Sequence, residues 1–320
     1  HILTRFTGVI YGVAAVLMLL VKTPLGRSAN GARRWLNLGP LSFQPSELAK
    51  IGVIVCLSYM IVNMGRKIGT LKGFMMLAGS GGALAFITYV FTDNLSTAII
   101  IFGITIGLIF IAHPKVRPFL IAAGILLVVA IVAISFLSAT METSSSFRLR
   151  RILVWLHPED YASGDGYQTI QALYAIGSGG FLGRGLGNSI QKLGSVPEAQ
   201  NDMIFSIICE ELGIFGALLV LLLFGYLLYR LFVVAQNAPD AYGMLMVSGV
   251  FAHISIQVIL NLCVVLKLMP ATGITLPFIS YGGTSVLFIL TEIGIALCVS
   301  RFIVFQDGKS GEGEAQAEEQ

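Results

Sequence analysis

Asp202 is the side chain best placed for chemistry, because it ends the longest polar segment of the chain, residues 139–202, and directly precedes an apolar segment. A carboxylate at a membrane surface can serve as a general base in a reaction on an amphiphilic substrate. The alternative is structural, since aspartate is also a preferred N-cap at the first turn of a helix. One residue can fill both roles, so both interpretations stay open.

Two groups of arginines belong to polar segments on the same predicted side of the membrane as Asp202. Guanidinium groups bind phosphates and carboxylates through paired hydrogen bonds, which suits an anionic substrate. Contact with anionic lipid headgroups is the alternative interpretation. The arginines are Arg33 and Arg34 in residues 22–44, and Arg148, Arg150 and Arg151 in residues 139–202.

Glu47 and Lys50 lie at the start of an apolar segment, within Gln44-Pro-Ser-Glu-Leu-Ala-Lys50. Their i,i+3 spacing places both side chains on one face of a helix, where each can neutralise a charge that would be costly alone in a membrane. The spacing fits a structural ion pair, and it also fits a catalytic pair that lines a cavity.

His253, Gln257 and Asn261 recur every four residues and form a polar stripe on one face of a later apolar segment. A polar stripe in a membrane helix is expected to face the interior of the bundle. It can serve hydrogen bonds between helices, or it can line a polar cavity.

The segments that carry these residues are those of a membrane protein. Of the 320 residues, 56% are hydrophobic and 12% are charged, and the mean hydropathy is +0.85. This composition excludes intrinsic disorder, and a net charge of +3 does not indicate a nucleic-acid partner. Apolar segments long enough to span a bilayer predict an all-α, polytopic membrane bundle of about eight helices, at residues 5–21, 45–64, 73–91, 96–112, 117–138, 203–232, 241–266 and 284–305.

The two long loops of this bundle, residues 22–44 and 139–202, are predicted to share one face of the membrane. Glycines in residues 177–187 allow tight backbone packing, with a phosphate cradle as the alternative. Cations are divided evenly between the two faces, so charge alone does not orient the bundle. Residues 306–320 are predicted to be a disordered acidic tail. The cysteines are isolated and indicate neither a disulfide framework nor a metal motif.

Four motifs, in this order, resemble the SEDS family of peptidoglycan glycosyltransferases, of the FtsW, RodA and SpoVE types. The resemblance runs from about residue 20 to residue 305, and the ordered set of motifs makes it specific. The motifs are Asn30-Gly-Ala-Arg-Arg-Trp35 leading to Gln44-Pro-Ser-Glu-Leu-Ala-Lys50; Gly166-Tyr-Gln-Thr-Ile-Gln171 with Ala175-Ile-Gly-Ser-Gly-Gly180 and Gln191-Lys192; Val196-Pro-Glu-Ala through Asp202 to Glu210-Glu-Leu-Gly213; and Thr275-Leu-Pro-Phe-Ile-Ser-Tyr-Gly-Gly-Thr-Ser285.

The resemblance implies a bundle of ten membrane helices, of which the first two are missing from this sequence. It implies a single domain, residues 1–305, in the bacterial cytoplasmic membrane, with the motif-bearing loops outside and the tail in the cytoplasm. The implied activity is polymerisation of lipid II into glycan strands for division or cell-shape growth. The implied partners are lipid II, the nascent glycan strand, a class B penicillin-binding transpeptidase and other divisome or elongasome membrane proteins. The need for a divalent cation is left open.

By this resemblance the essential aspartate of the family falls on Asp202, and its intramembrane pair falls on Glu47 and Lys50. The chain departs from the usual family pattern in residues 93–97 and in residues 200–203 around Asp202. The residues 33–39 and 273–277 favour the FtsW type.

Inverting transfer from an α-linked donor needs one base and a stabilised leaving group. We expect Asp202 to take the proton from the acceptor hydroxyl, while cationic and amide side chains bind the substrate and its pyrophosphate. A lipid II flippase is the alternative function, and a scaffold for the transpeptidase is a second alternative. The predicted binding residues are Arg33, Arg34, Arg148, Arg150, Arg151, Gln171 and Lys192, and the predicted polar residues of the cavity are Gln44, Gln257, Asn261 and Ser280, beside Glu47 and Lys50.

Overall fold

The computed structural model describes residues 2–29, 32–38, 41–140, 147–164, 166–193, 196–197 and 199–303. The predicted tail, residues 306–320, lies outside this part of the chain. In the described part, the α-helices are α1 Ile2–Leu20, α2 Pro45–Met64, α3 Leu71–Phe91, α4 Leu95–Ala112, α5 Arg117–Thr140, α6 Phe147–Leu156, α7 Tyr167–Gly179, α8 Ile204–Gln236, α9 Ala241–Val265 and α10 Gly283–Ser300, and the strands are β1 Gly26–Ala29, β2 Ala32–Leu38 and β3 Leu41–Phe43.

The eight predicted apolar segments all form helices, which confirms the membrane bundle. By length and composition, α1 to α4 and α8 to α10 can cross a membrane, which makes seven candidate spans among the described residues. The helix α5 contributes a shorter apolar segment, Arg117–Val132. The predicted bounds agree with the observed helices to within a few residues, because hydropathy over about 20 residues is the strongest signal that a sequence contains.

The helices α2 and α9 form the centre of the bundle. In each of them, 61% of the spanning segment is buried inside the protein, against 11% in α8. The two helices approach closely at Gly249, where a Cβ atom would lie 2.7 Å from Cγ2 of Ile54. Small residues at such crossings let two backbones come together, which is the usual way that membrane helices pack. Glu47 and Lys50 on α2, and His253, Gln257 and Asn261 on α9, are therefore shielded from lipid.

The two long loops contain secondary structure that the sequence did not predict. The strands β1, β2 and β3 form a three-stranded antiparallel sheet in the order β1-β2-β3, in which Arg27 pairs with Trp35 and Asn37 with Ser42. Residues 139–202 contain the short helices α6 and α7. Strands of three to seven residues have too little alternation to stand out from a loop, because their stability comes from pairing rather than from local preference.

The glycine-rich segment, residues 177–187, packs against a break in α8. Gly213 interrupts that helix with a φ of 67° and a ψ of −164°. The amides of Arg184 and Gly185 donate to the carbonyl groups of Glu210 and Glu211, each at 2.9 Å, and the Ile214 amide donates to Gly180 at 3.1 Å. These hydrogen bonds satisfy backbone groups that the break would leave open. The interpretation as tight backbone packing is confirmed for this part of the segment.

Candidate functional site

Asp202 lies at the end of the long polar segment, two residues before α8 begins. The N-cap of α8 is Met203, without a side-chain capping bond, so the interpretation of Asp202 as the N-cap is wrong. The helix starts one residue later than an aspartate cap requires. The Asp202 side chain is buried, with 8% of the residue exposed, and Nε2 of Gln168 lies 3.5 Å from its Oδ1. The carboxylate is therefore held inside the protein beside an amide donor.

The backbone around Asp202 is fastened to the connector between α9 and α10, residues 266–282. Nδ2 of Asn261 donates to the carbonyl oxygen of Asp202 at 2.8 Å and to that of Ile274 at 2.7 Å. Oγ of Ser280 donates to the Asn201 carbonyl oxygen at 2.6 Å, and the Tyr281 amide donates to Gln200 at 2.8 Å. The position of Asp202 thus depends on the α9–α10 connector.

A cavity of about 210 Å³ opens beside Asp202. Gln168 lines the cavity and reaches Asp202, so the two features adjoin. Two other lining side chains are fixed to the α9–α10 connector: Nη1 of Arg151 donates to Ala271 at 2.9 Å, and Nε1 of Trp155 donates to Lys267 at 2.8 Å. The full lining consists of Arg151, Val154, Trp155, Gly164, Gln168, Thr169, Pro197, Met269 and Ala271.

Arg34 and Arg151 lie close enough to influence each other. Burial lowers the pKa of Arg34, the positive charge of Arg151 lowers it further, and Asp93 opposes both effects. Nη2 of Arg34 donates to the Asp93 carbonyl oxygen at 3.2 Å, while its buried Nε has no hydrogen-bond partner within the described residues. Two guanidinium groups whose charges interact are able to favour a bound anion. The structure therefore brings together one arginine from each of the two predicted groups.

The other predicted binding residues have different surroundings. Nζ of Lys192 pairs with Oε1 of Glu211 at 2.6 Å. Arg33 is exposed and donates at 3.5 Å to the Lys22 carbonyl oxygen, and Arg150 is exposed as well. The Arg148 side chain lies outside the described part of the chain, and Gln171 is half-buried on α7.

Gln168 is a site residue that the sequence analysis missed. It lies one helical turn before the predicted Gln171 on α7, and it is the glutamine that contacts Asp202. The i,i+3 spacing of the two glutamines was a signal that both share a face. Trp155, in the cavity wall, was missed too, because nothing near it in the sequence relates it to Asp202.

Five buried side chains form a second polar cluster in the bundle, which we call the intramembrane polar chain. Nζ of Lys50 lies 2.9 Å from Oε2 of Glu47 and 3.2 Å from Oε1 of Gln257. Nε2 of His253 lies 2.8 Å from the same Gln257 oxygen. Nδ1 of His253 lies 2.6 Å from Oε2 of Glu292 on α10. The predicted ion pair and the inward-facing polar stripe are both confirmed.

The remaining predicted polar residues connect elements rather than line the cavity beside Asp202. Gln44 is the N-cap of α2, and its Nε2 donates to the Ser46 hydroxyl at 2.9 Å. Ser280 and Asn261 hold the backbone next to Asp202, as described above. In the described residues, no three side chains of the histidine, cysteine, aspartate and glutamate types come together as a metal site.

Comparison with known proteins places this chain in a family. The model of the FtsW, RodA and SpoVE family, described as cell cycle proteins, matches residues 2–303. Stage V sporulation protein E of Bacillus subtilis is 39% identical over 288 residues, which are 89% of this chain and 76% of that protein. A Coxiella burnetii protein named probable peptidoglycan glycosyltransferase FtsW is 35% identical over 307 residues, covering 92% and 78%.

Solved structures show the same fold. A chain of a peptidoglycan synthase complex, in which polymerization and crosslinking are coordinated, has a TM-score of 0.77 and 30% identity, covering 95% of this chain and 83% of its own. The rod shape determining protein RodA of Thermus thermophilus has a TM-score of 0.65 and 28% identity, covering 95% and 80%. This chain is therefore a multi-pass membrane protein of the FtsW/RodA/SpoVE family, the SEDS family of peptidoglycan glycosyltransferases.

Proposed function

We propose that this chain polymerises lipid II into glycan strands by an inverting glycosyl transfer, with Asp202 as the general base. The observation that carries the proposal is the arrangement of one cavity: a buried carboxylate adjoins it through Gln168, and Arg151 lines it close to Arg34. The relative from Coxiella burnetii, named as a probable glycosyltransferase, supports the same activity.

Inversion at a sugar carbon requires the nucleophile and the leaving group to lie on opposite sides of that carbon. Asp202 accepts the proton of the acceptor 4-hydroxyl group. At the same time, the oxygen of that hydroxyl group forms the bond to C1 of the donor sugar. The bond from C1 to the phosphate oxygen breaks, and undecaprenyl pyrophosphate leaves with the electron pair. A base that adjoins the cavity through Gln168, and a cation, Arg151, that lines it, fit this division of roles.

Arg34 and Arg151 are the side chains best suited to the leaving pyrophosphate. Negative charge builds up on that group as the bond breaks, and cations that are already in place stabilise it without reorganisation. Burial lowers the pKa of Arg34 and the charge of Arg151 lowers it further, and a bound anion would offset both effects. The other predicted arginines remain candidates for the outer parts of the substrate.

The cavity has room for one sugar ring. Its volume of about 210 Å³ lies below the ~300–1,000 Å³ that hold drug-sized ligands, so the lipid and peptide parts of lipid II stay outside it. Trp155 gives the ring an apolar wall, while Gln168 and Thr169 supply hydrogen-bonding groups. We assign this cavity to the reacting ring of the donor.

The same proposal covers location and partners. The active site faces the outer side of the bacterial cytoplasmic membrane, where lipid II and the nascent glycan strand are found. A class B penicillin-binding transpeptidase is the expected partner, together with other divisome or elongasome membrane proteins. The likeness to a chain of a peptidoglycan synthase complex supports such a pairing.

The test is polymerisation of purified lipid II by the protein together with its transpeptidase, followed by gel separation of the glycan strands. Asp202→Asn removes the base and keeps the shape, so we expect the rate to fall by about 10²–10⁴-fold. Asp160→Asn is the matched control, because it makes the same change at an exposed aspartate of the same segment. Undiminished activity of Asp202→Asn would rule out the role of this residue.

A lipid II flippase is the second candidate function, and the intramembrane polar chain is the observation in its favour, since transport across a bilayer needs polar groups inside it. Measurements of lipid II translocation and polymerisation in proteoliposomes distinguish the two functions. Lipid II translocation that persists in the Asp202→Asn protein, with no polymerisation by the wild type, would favour the flippase.

A further inference from the structure

The Gln257 side chain has only one possible orientation, and this determines where hydrogens lie in the intramembrane polar chain. Its Nε2 donates to the Thr275 carbonyl oxygen at 3.0 Å, while its Oε1 faces Nζ of Lys50 at 3.2 Å. Turning the amide over would place its NH2 group against the Lys50 ammonium group, donor against donor. It would also place its oxygen against the Thr275 carbonyl oxygen, acceptor against acceptor. Oε1 is also 2.8 Å from Nε2 of His253. Because Oε1 can only accept, Nε2 of His253 carries a hydrogen.

The contact between His253 and Glu292 then requires one more proton. Nδ1 of His253 is 2.6 Å from Oε2 of Glu292, a hydrogen-bonding distance that needs a hydrogen between the two atoms. The pair is either an imidazolium beside a carboxylate or a neutral imidazole beside a carboxylic acid. In both cases the pair holds one proton more than a neutral histidine and an ionised glutamate, and its net charge is zero.

This neutrality agrees with the surroundings of the pair. His253 and Glu292 are each 1% exposed, in the interior of a membrane bundle, where an unpaired charge is costly. Glu47 and Lys50, which complete the chain, neutralise each other. The whole intramembrane polar chain therefore has no net charge while the His253–Glu292 proton is in place.

The chain leads to the backbone of the proposed base. Gln257 donates to the carbonyl oxygen of Thr275 in the α9–α10 connector. The carbonyl oxygen of the preceding residue, Ile274, accepts from the same Asn261 amide as the carbonyl oxygen of Asp202. Without Glu292, the His253 ring loses the contact at Nδ1 that fixes its orientation, so its Nε2–H donor to Gln257 is no longer held in place. This loss weakens the hold of Gln257 on the connector.

We infer that His253 and Glu292 are positioning residues for Asp202, which they hold in place through Gln257 and the α9–α10 connector by means of a shared, buried proton. The inference rests on the proposed function for the role of Asp202. Reacting groups must be held closely, since a displacement of about 1 Å can cost about 100-fold in rate.

Two substitutions of Glu292 test the inference through activity. In Glu292→Gln, the amide can donate to Nδ1 while Nε2 keeps its hydrogen, so the neutral arrangement survives and we expect kcat within about threefold of the wild type. Glu292→Ala removes the partner of His253, and we expect kcat to fall about 10–100-fold while KM for lipid II is unchanged. Ser58→Ala is the control, because that hydroxyl is equally buried, on α2, and has no hydrogen-bond partner in the described part of the chain.

Hydrogen–deuterium exchange gives a second measurement that does not depend on catalysis. Amides of residues 266–282 should exchange faster in Glu292→Ala and Gln257→Ala than in the wild type, and at the wild-type rate in Glu292→Gln and Ser58→Ala. If Glu292→Gln is as impaired as Glu292→Ala in both measurements, the carboxylate itself is required and the inference is wrong. Unchanged exchange in Glu292→Ala overturns it as well. If the wild type does not polymerise lipid II, the proposed function fails, while the exchange measurement still decides the link to the connector.

Discussion

The mouth of the proposed site, formed by Arg34, Arg151, Gln168 and Asp202, differs from the intramembrane polar chain in how its charges are arranged. In the mouth, two cations lie near each other: burial lowers the pKa of Arg34 most, and the positive charge of Arg151 lowers it further. In the chain, opposite charges and hydrogen-bond partners alternate at 2.6–3.2 Å. Two like charges near each other favour a ligand of the opposite charge, whereas side chains that neutralise each other hold a structure. Substitutions in the mouth should therefore act mainly on catalysis, whereas substitutions in the intramembrane polar chain should lower stability and act on catalysis only through the position of Asp202.

The largest expected effect is a loss of stability when a substitution of Lys50 interrupts the intramembrane polar chain. Lys50→Met leaves the Glu47 carboxylate, on a residue that is 7% exposed, without the ammonium group 2.9 Å away. Breaking a buried pair by removing one partner costs about 3–5 kcal/mol, because the other charge stays buried and uncompensated. Unfolding of the purified protein in detergent measures the change.

The double variant Glu47→Gln with Lys50→Met is the control for this prediction. It removes both charges and keeps two side chains of similar size, so most of the lost stability should return. If Lys50→Met alone is as stable as the wild type, the pair does not hold the bundle together and the contrast with the mouth is lost.

The next effect in size is a loss of catalysis without a matching loss of stability, at Arg151. Arg151→Ala removes a cation that lines the cavity, and we expect kcat/KM for lipid II to fall about 10²-fold, as when one preorganised donor to a developing charge is lost. The lost hydrogen bond to Ala271 should lower the free energy of unfolding by only about 1 kcal/mol. Polymerisation kinetics and detergent unfolding, measured on the same preparation, separate the two effects.

Arg230→Ala is the matched control, since it removes an exposed arginine near the C-terminal end of α8, the end far from Asp202. Arg151→Lys keeps the charge but loses the planar, paired donors, so we expect its activity to lie between those of the wild type and the alanine variant. An Arg151→Ala protein with full activity and reduced stability would show that this arginine belongs with the structural charges.

The sequence predicts these two regions unequally. The membrane helices follow from hydropathy, and the Glu47–Lys50 pair follows from i,i+3 spacing, because both signals are local. The contact between His253 and Glu292 joins residues 39 apart, and that between Gln168 and Asp202 joins residues 34 apart. No local pattern encodes such contacts, since they arise only when helices pack and a loop folds back over them. The sequence therefore predicts part of the intramembrane polar chain. For the mouth, it predicts the separate groups of residues but not the contacts between them.

The short sheet shows the same limit in the other long loop. Its strand β2 places Leu36 in the core at 1% exposure and Arg34 beside Asp93, yet its residues alternate too weakly to predict a strand. Arg34, on this sheet, lies near enough to Arg151, on α6, for their charges to interact, and neither element was predicted. The anion site thus depends on elements whose pairing, rather than composition, defines them.

The smallest expected effect is at an exposed ion pair whose geometry matches that of the buried one. Nζ of Lys22 lies 2.8 Å from Oδ2 of Asp93, almost the 2.9 Å of the Lys50–Glu47 pair, but its side chains are 43% and 47% exposed. Water and salt screen such a pair, so the coupling energy between Lys22 and Asp93 should be below about 1 kcal/mol.

A double-mutant cycle with Lys22→Ala and Asp93→Asn measures this coupling energy. Asparagine suits position 93 because it tolerates the φ of 49° found there. The coupling should shrink further at high ionic strength, since exposed charges are screened over about 8 Å at physiological salt. A coupling near 3 kcal/mol at this exposed site would mean that distance, and not burial, sets the strength of ion pairs in this protein, and the difference between the two regions would need another explanation.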